Sequence, residues 1–142
     1  SIIHKILRTS DMKVRDQCGQ TVLFKAISHN FSRQFVRALI KYGVNVAARD
    51  KKGRTARDHC EALRNVKYLT EIDDHIIEIV RDCDIERIQQ LVLEGYDHIV
   101  DVTDDKGINI YNHLKQLYTL NPNKEEMLML IEKIRPIQVM KC

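Results

Sequence analysis

His59 and Cys60 stand side by side, and a histidine next to a thiol is the combination that a cysteine nucleophile and its base require. Consecutive helical positions, however, point about 100° apart, and no glycine elbow or oxyanion-type loop flanks the pair. Inert packing is the expectation for both. His75 with Asp73 and Asp74, and Asp101 with Asp104 and Asp105, offer nitrogen and oxygen donors of the kind metals take. The second group lacks the glycine and terminal glutamate at the offsets of a calcium loop, and acidic loops of this sort are expected to be solvated. Neither Gly-x-x-x-x-Gly-Lys-Ser/Thr nor Gly-x-Gly-x-x-Gly occurs, so nucleotide chemistry has no support. The expectation is a chain with no catalytic residue, metal or cofactor.

A denser signal is positive charge. Arg49, Lys51, Lys52, Arg54 and Arg57 follow one another at a turn and the start of a helix. Such a group can neutralise phosphates, with a steep salt dependence, or meet an acidic polypeptide. No aromatic residue is interleaved for stacking on bases, and no helix is strongly basic on one face. A merely solvated loop is the third reading. The charge of the whole chain is divided: residues 1–70 hold 15 Lys and Arg against 5 Asp and Glu, +10, and residues 71–142 hold 8 against 15, −7, which gives the net +3.

These residues must be held by elements, and composition bounds which. The chain has 142 residues, 44% hydrophobic and 30% charged, enough for one domain or a short repeat array with a core. Only 5 glycines, 2 prolines and 8 Phe and Tyr (3 and 5) with no Trp argue against an all-β sandwich or barrel. No apolar stretch approaches the roughly 18 residues of a membrane span. Cys18, Cys60, Cys83 and Cys142 are far apart and form no Cys-x-x-Cys pair, so neither a zinc module nor a disulfide scaffold is implied. With no export signal in the first residues, a reducing intracellular compartment, cytoplasmic or nuclear, is expected.

Self-similarity organises the rest. Asp16-Gln17-Cys18-Gly19-Gln20-Thr21 and Asp50-Lys51-Lys52-Gly53-Arg54-Thr55 share Asp-x-x-Gly-x-Thr, and Asp104-Asp105-Lys106-Gly107-Ile108-Asn109 is a weaker third copy. Asp and Gly suit a tight turn, and Thr suits the cap of a following helix. Leu23, Ala26 and Ile27 mark one short helix, and Phe35, Val36, Leu39 and Ile40 a second that stops at Gly43. Ile76, Ile77, Ile79 and Val80, then Ile85, Ile88, Leu91 and Val92 up to Gly95, repeat that cadence. Helices are predicted over 111–118 and 124–134, with a turn at Asn121-Pro122-Asn123 between them. A further helical remnant is predicted at Ile2 to Leu7.

Ala38-Leu39-Ile40-Lys41-Tyr42-Gly43-Val44-Asn45-Val46 and Gln90-Leu91-Val92-Leu93-Glu94-Gly95-Tyr96-Asp97-His98-Ile99, together with the Asp-x-x-Gly-x-Thr turns, resemble the ankyrin repeat family. The resemblance implies an all-α, ankyrin-like α-solenoid of about four stacked helix-turn-helix units. Residues 1–15 would be a partial repeat, 16–49 a full one, 50–70 an irregular one, 71–103 another and 104–142 the last. The family's Thr-Pro-Leu-His is replaced by Thr21-Val22-Leu23-Phe24 and Thr55-Ala56-Arg57-Asp58. Cys60 falls where the family keeps a small buried residue, and the place of a hydroxylatable asparagine holds Ala47 and Ile99, so that modification is not expected.

The function the resemblance implies is protein–protein recognition through a concave face and turn tips. Carried over position by position, the partner-binding residues are Gln17, Gln20, Ser28 and His29, then Arg49, Lys51, Lys52 and Arg54, then Asp105 and Lys106. The basic four favour an acidic partner. A nucleic-acid-binding domain and a structural spacer within a larger protein are the alternatives. Ile2, Ile3 and Ile6 at one end and Ile137, Val139 and Met140 at the other are candidates for apolar surface or self-association.

Overall fold

A computed structural model describes residues 12–120 and 125–141. The expected helix at residues 2–7, the turn at 121–123 and Cys142 lie outside them. Among the described residues there are seven α-helices, one 3-10 helix and no strand. They are α1 (Val22–Ser28), α2 (Arg33–Lys41), α3 (Ala56–Ala62), α4 (Val66–Arg81), α5 (Ile85–Leu93), the 3-10 turn Asp97–Val100, α6 (Ile110–Leu120) and α7 (Glu125–Lys141). The fold class is all-α and ankyrin-like. The chain divides into two compact units, Ser1–Ile72 and Asp73–Cys142.

In the first unit α1 packs on α2 and on α3. Of the apolar positions predicted for helices, Leu23, Ala26 and Ile27 on α1 and Val36, Leu39 and Ile40 on α2 are at most 3% exposed and Phe35 is half-buried; Phe24, outside the predicted stripe, is buried as well. Neither helix is long enough to persist alone in water, so this burial is what holds them. Ser32 caps α2, its hydroxyl accepting from Phe35 N at 3.1 Å. Thr55 and Asp58 cap α3 reciprocally, each side chain accepting from the other's backbone N–H, at 3.1 and 2.9 Å. Thr21, the corresponding residue before α1, makes no side-chain cap, the Phe24 that stands three residues on offers no reciprocal acceptor, and among the described residues the buried Thr21 hydroxyl meets no partner.

The helix ends reveal the repeat more sharply than the helices. Asn30, Arg64 and Cys83 all have positive φ, 57°, 54° and 54°. Each closes the same six-residue bond: Phe31 N to Ala26 O, Asn65 N to Cys60 O and Asp84 N to Ile79 O, all 2.9 Å. Asn30 and Arg64 are one 34-residue period apart, like Arg15 and Arg49. Cys83 follows Arg64 after little more than half a period. Between them lies α4, whose 16 residues run unbroken from Val66 to Arg81. The expected boundary at residue 71 falls inside this helix, and the turn that would separate two repeats is missing there.

In the second unit Ile76 and Ile79 of α4, Ile88 of α5, Ile99, Ile110 and Leu114, and Met127, Leu130 and Ile134 of α7 are buried. Here α7 packs on α5, α6 and the 3-10 turn. It runs beyond the predicted 124–134 and contains Pro136.

Candidate functional site

The three Asp-x-x-Gly turns have one geometry. Asp50 N–H donates to Arg54 O and Gly53 N–H to Asp50 O, both at 2.9 Å, while Asp50 Oδ1 accepts from Lys52 N and Arg54 N, again at 2.9 Å. Asp16 does the same with Cys18 and Gln20, and Asp104 with Lys106 and Ile108, at 2.8–2.9 Å. Glycine is required at Gly19, Gly53 and Gly107 because φ there is 77–78°.

The second carboxylate oxygen meets a basic side chain each time. Lys25 Nζ lies 3.7 Å from Asp16, the Arg54 guanidinium 3.3 Å from Asp50, and His113 Nε2 2.8 Å from Asp104. All three carboxyls are held below the usual carboxylate range. For Asp16 and Asp104 the leading cause is a backbone N–H, from Gln20 and Ile108 respectively. For Asp50 burial opposes ionisation, and the N–H groups of Arg54 and Lys52 with the Arg54 side chain outweigh it.

In the first unit the turns at Asp16 and Asp50 are joined. Lys51 N–H donates to Cys18 O at 2.9 Å, and the Arg15 guanidinium reaches Arg49 O at 2.9 Å and Gly19 O at 3.1 Å. Arg49 repeats that second bond on Gly53 O at 3.0 Å. Arg15 is a residue the sequence reading missed, although the recurring Arg-Asp-x-x-Gly of Arg15 and Arg49 carried the signal.

The expected partner residues fall as follows. Gln17, Arg49, Lys51 and Lys52 are exposed on the joined turns and Gln20 is half-buried. Arg54 is engaged with Asp50, so it fixes the turn as much as it faces outward. Arg57, counted in the basic run, is 5% exposed and bonded to Glu61 at 2.6 Å; it leaves the charged surface. Ser28 and His29 close α1, where Ser28 Oγ lies 3.0 Å from His59 Nε2 and the His29 ring stacks on Phe31 at 6.2 Å. Asp105 and Lys106 are exposed on the third turn, in the second unit, with Arg81 3.9 Å from Asp105.

The residues weighed for chemistry have other tasks. Cys60 is fully buried, and His59 turns toward Ser28, its pKa lowered by burial and by the nearby Arg54 charge. Asp101 meets His98 at 3.2 Å and Asp104 is engaged in its own turn. Among the described residues no group of three His, Cys, Asp or Glu side chains is placed to hold a metal ion. No described helix is long and apolar enough to cross a membrane.

A family profile for ankyrin repeats (3 copies) matches residues 1–79, ending within α4. No curated protein and no solved structure matches the chain. The match covers more than half the sequence, and it spans the two joined turns and the helix pairs behind them: the chain belongs to the ankyrin repeat family.

Proposed function

We propose that the chain is a non-catalytic protein–protein interaction module, and that its Asp50 turn selects an acidic protein partner. Ankyrin repeats are in general protein–protein interaction modules, which supports the first part. The second part is carried by one observation. Lys51 and Lys52 stand exposed on a turn whose backbone is already fixed by Asp50, Arg49 and the bond to Cys18 O. A surface ordered before docking loses little entropy when it binds. Gln17, Gln20, Ser28 and His29 contribute neighbouring contacts in the first unit. Asp105 and Lys106 form a contact of their own in the second. The working compartment is the reducing interior of a cell, where thiols such as Cys18, Cys60 and Cys83 stay reduced.

The test is capture from a lysate by the whole chain and by its Lys51→Glu, Lys52→Glu variant, with bound proteins identified by mass spectrometry. The expected outcome is a set of acidic proteins retained by the first and lost by the second, with unchanged helical circular dichroism. Equal capture by both contradicts the basic turn as the selecting surface. The +10 charge of residues 1–70 supports a second reading, nucleic-acid binding. That reading requires duplex or single-stranded retention at low salt with a steep salt slope, and failure of both ends it.

A further inference from the structure

The paired turns at Asp16 and Asp50 have two edges of unequal character. On the inner one, Cys18 O accepts from Lys51 N–H, and Gly19 is covered so closely that a β-carbon there would lie 3.1 Å from Lys51 N and 3.3 Å from Lys51 Cγ. One period later the corresponding groups are Lys52 O and Gly53. Among the described residues no backbone N–H reaches the Lys52 carbonyl, and a β-carbon on Gly53 would meet nothing within 4 Å. An acceptor and an open face are left, with the exposed Lys51 and Lys52 beside them.

We propose that this outer edge receives an extended acidic segment of a partner protein. One main-chain N–H of the segment donates to Lys52 O, as Lys51 N–H donates to Cys18 O, and its carboxylates meet Lys51 and Lys52. The proposal rests on the reading that this surface takes an acidic protein partner, and adds the atoms and the partner's conformation. Strand addition of this kind draws affinity from main-chain bonds and specificity from side chains. A phosphate backbone offers acceptors only, so it leaves the carbonyl unmatched. The charge of the first unit selects carboxylates.

The probe is a dye-labelled peptide of alternating Glu and Val, and the same peptide N-methylated at its amides, titrated against the whole chain by fluorescence anisotropy. The parent peptide is expected to bind, and the methylated one to bind about tenfold more weakly, the worth of a lost hydrogen bond to a desolvated acceptor. In parallel, the Lys52 carbonyl 13C resonance is expected to shift with the parent peptide and to stay in place with the methylated one. Absence of binding by the parent peptide overturns the proposal. Equal binding of both peptides, with loss in the Lys51→Glu, Lys52→Glu variant, overturns the edge pairing and leaves the acidic-partner reading intact. A Lys52 shift that appears on self-association, or with labelled duplex DNA and not with the peptide, assigns the edge to another occupant and overturns it as well.

Discussion

At Asp50 one buried carboxylate gathers two backbone N–H groups on one oxygen and the Arg54 guanidinium on the other. Removing it strands those donors, so Asp50→Ala is expected to cost about 2–3 kcal/mol, read as a lower urea midpoint, while Asp50→Asn keeps an acceptor and costs less. The carboxyls of Asp50, Asp16, Asp104 and Glu71 all ionise below their ordinary range in the folded chain. Their stabilising contribution is therefore present above the unfolded values of about 4 and is lost as pH falls through the folded ones. Urea midpoints from about pH 7 to about pH 3 should drop on the acid side, and drop less in Asp50→Asn. Thr21 and Thr55 make an opposed pair. Thr55→Val breaks a capping box and should cost about 1 kcal/mol, whereas Thr21→Val removes a buried hydroxyl with no partner and should leave the melting temperature unchanged or raise it. The turn role of these aspartates was legible in Asp-x-x-Gly-x-Thr, because a tight turn admits few residue types. The Thr21 hydroxyl without a partner among the described residues was not, since the same Thr caps a helix at Thr55 and does not at Thr21.

Among the elements, α4 carries the main departure from the family's rhythm. Its apolar residues Ile72, Ile76 and Val80 keep helical spacing across the point where a turn belongs, and all are buried. The sequence predicts an irregular unit over 50–70 and another from residue 71. No cap or glycine marks that place, so nothing local stops the helix there. Instead Glu71 becomes a tie within the first unit. Its carboxylate, 3% exposed, meets the Arg37 guanidinium at 2.8 Å and Arg33 at 3.0 Å on α2. The Arg37 bond is the leading reason its pKa is low, against the opposing effect of burial. Both arginines are half-exposed and so stay partly solvated without that carboxylate. Glu71→Ala is accordingly expected to cost about 2 kcal/mol by chemical denaturation, short of the penalty for a fully buried pair.

For the molecule as a whole, the division of charge is the property on which the proposed recognition rests. It could be counted from the sequence, but which charges remain at the surface could not: Arg57 is buried, Arg54 is engaged with Asp50, and Lys51 and Lys52 are exposed on the joined turns. Partner capture that depends on these two should weaken steeply between low and physiological salt, where charges are screened beyond about 8–10 Å. A pull-down series in rising salt checks this, and capture indifferent to salt would argue for an apolar contact instead. The most direct measurement of the whole account is amide hydrogen–deuterium exchange of the chain alone and with its captured partner. New protection concentrated in residues 16–20 and 50–54 is the expected result. Protection elsewhere, with those two turns exchanging as in the free chain, would contradict the assignment of recognition to them.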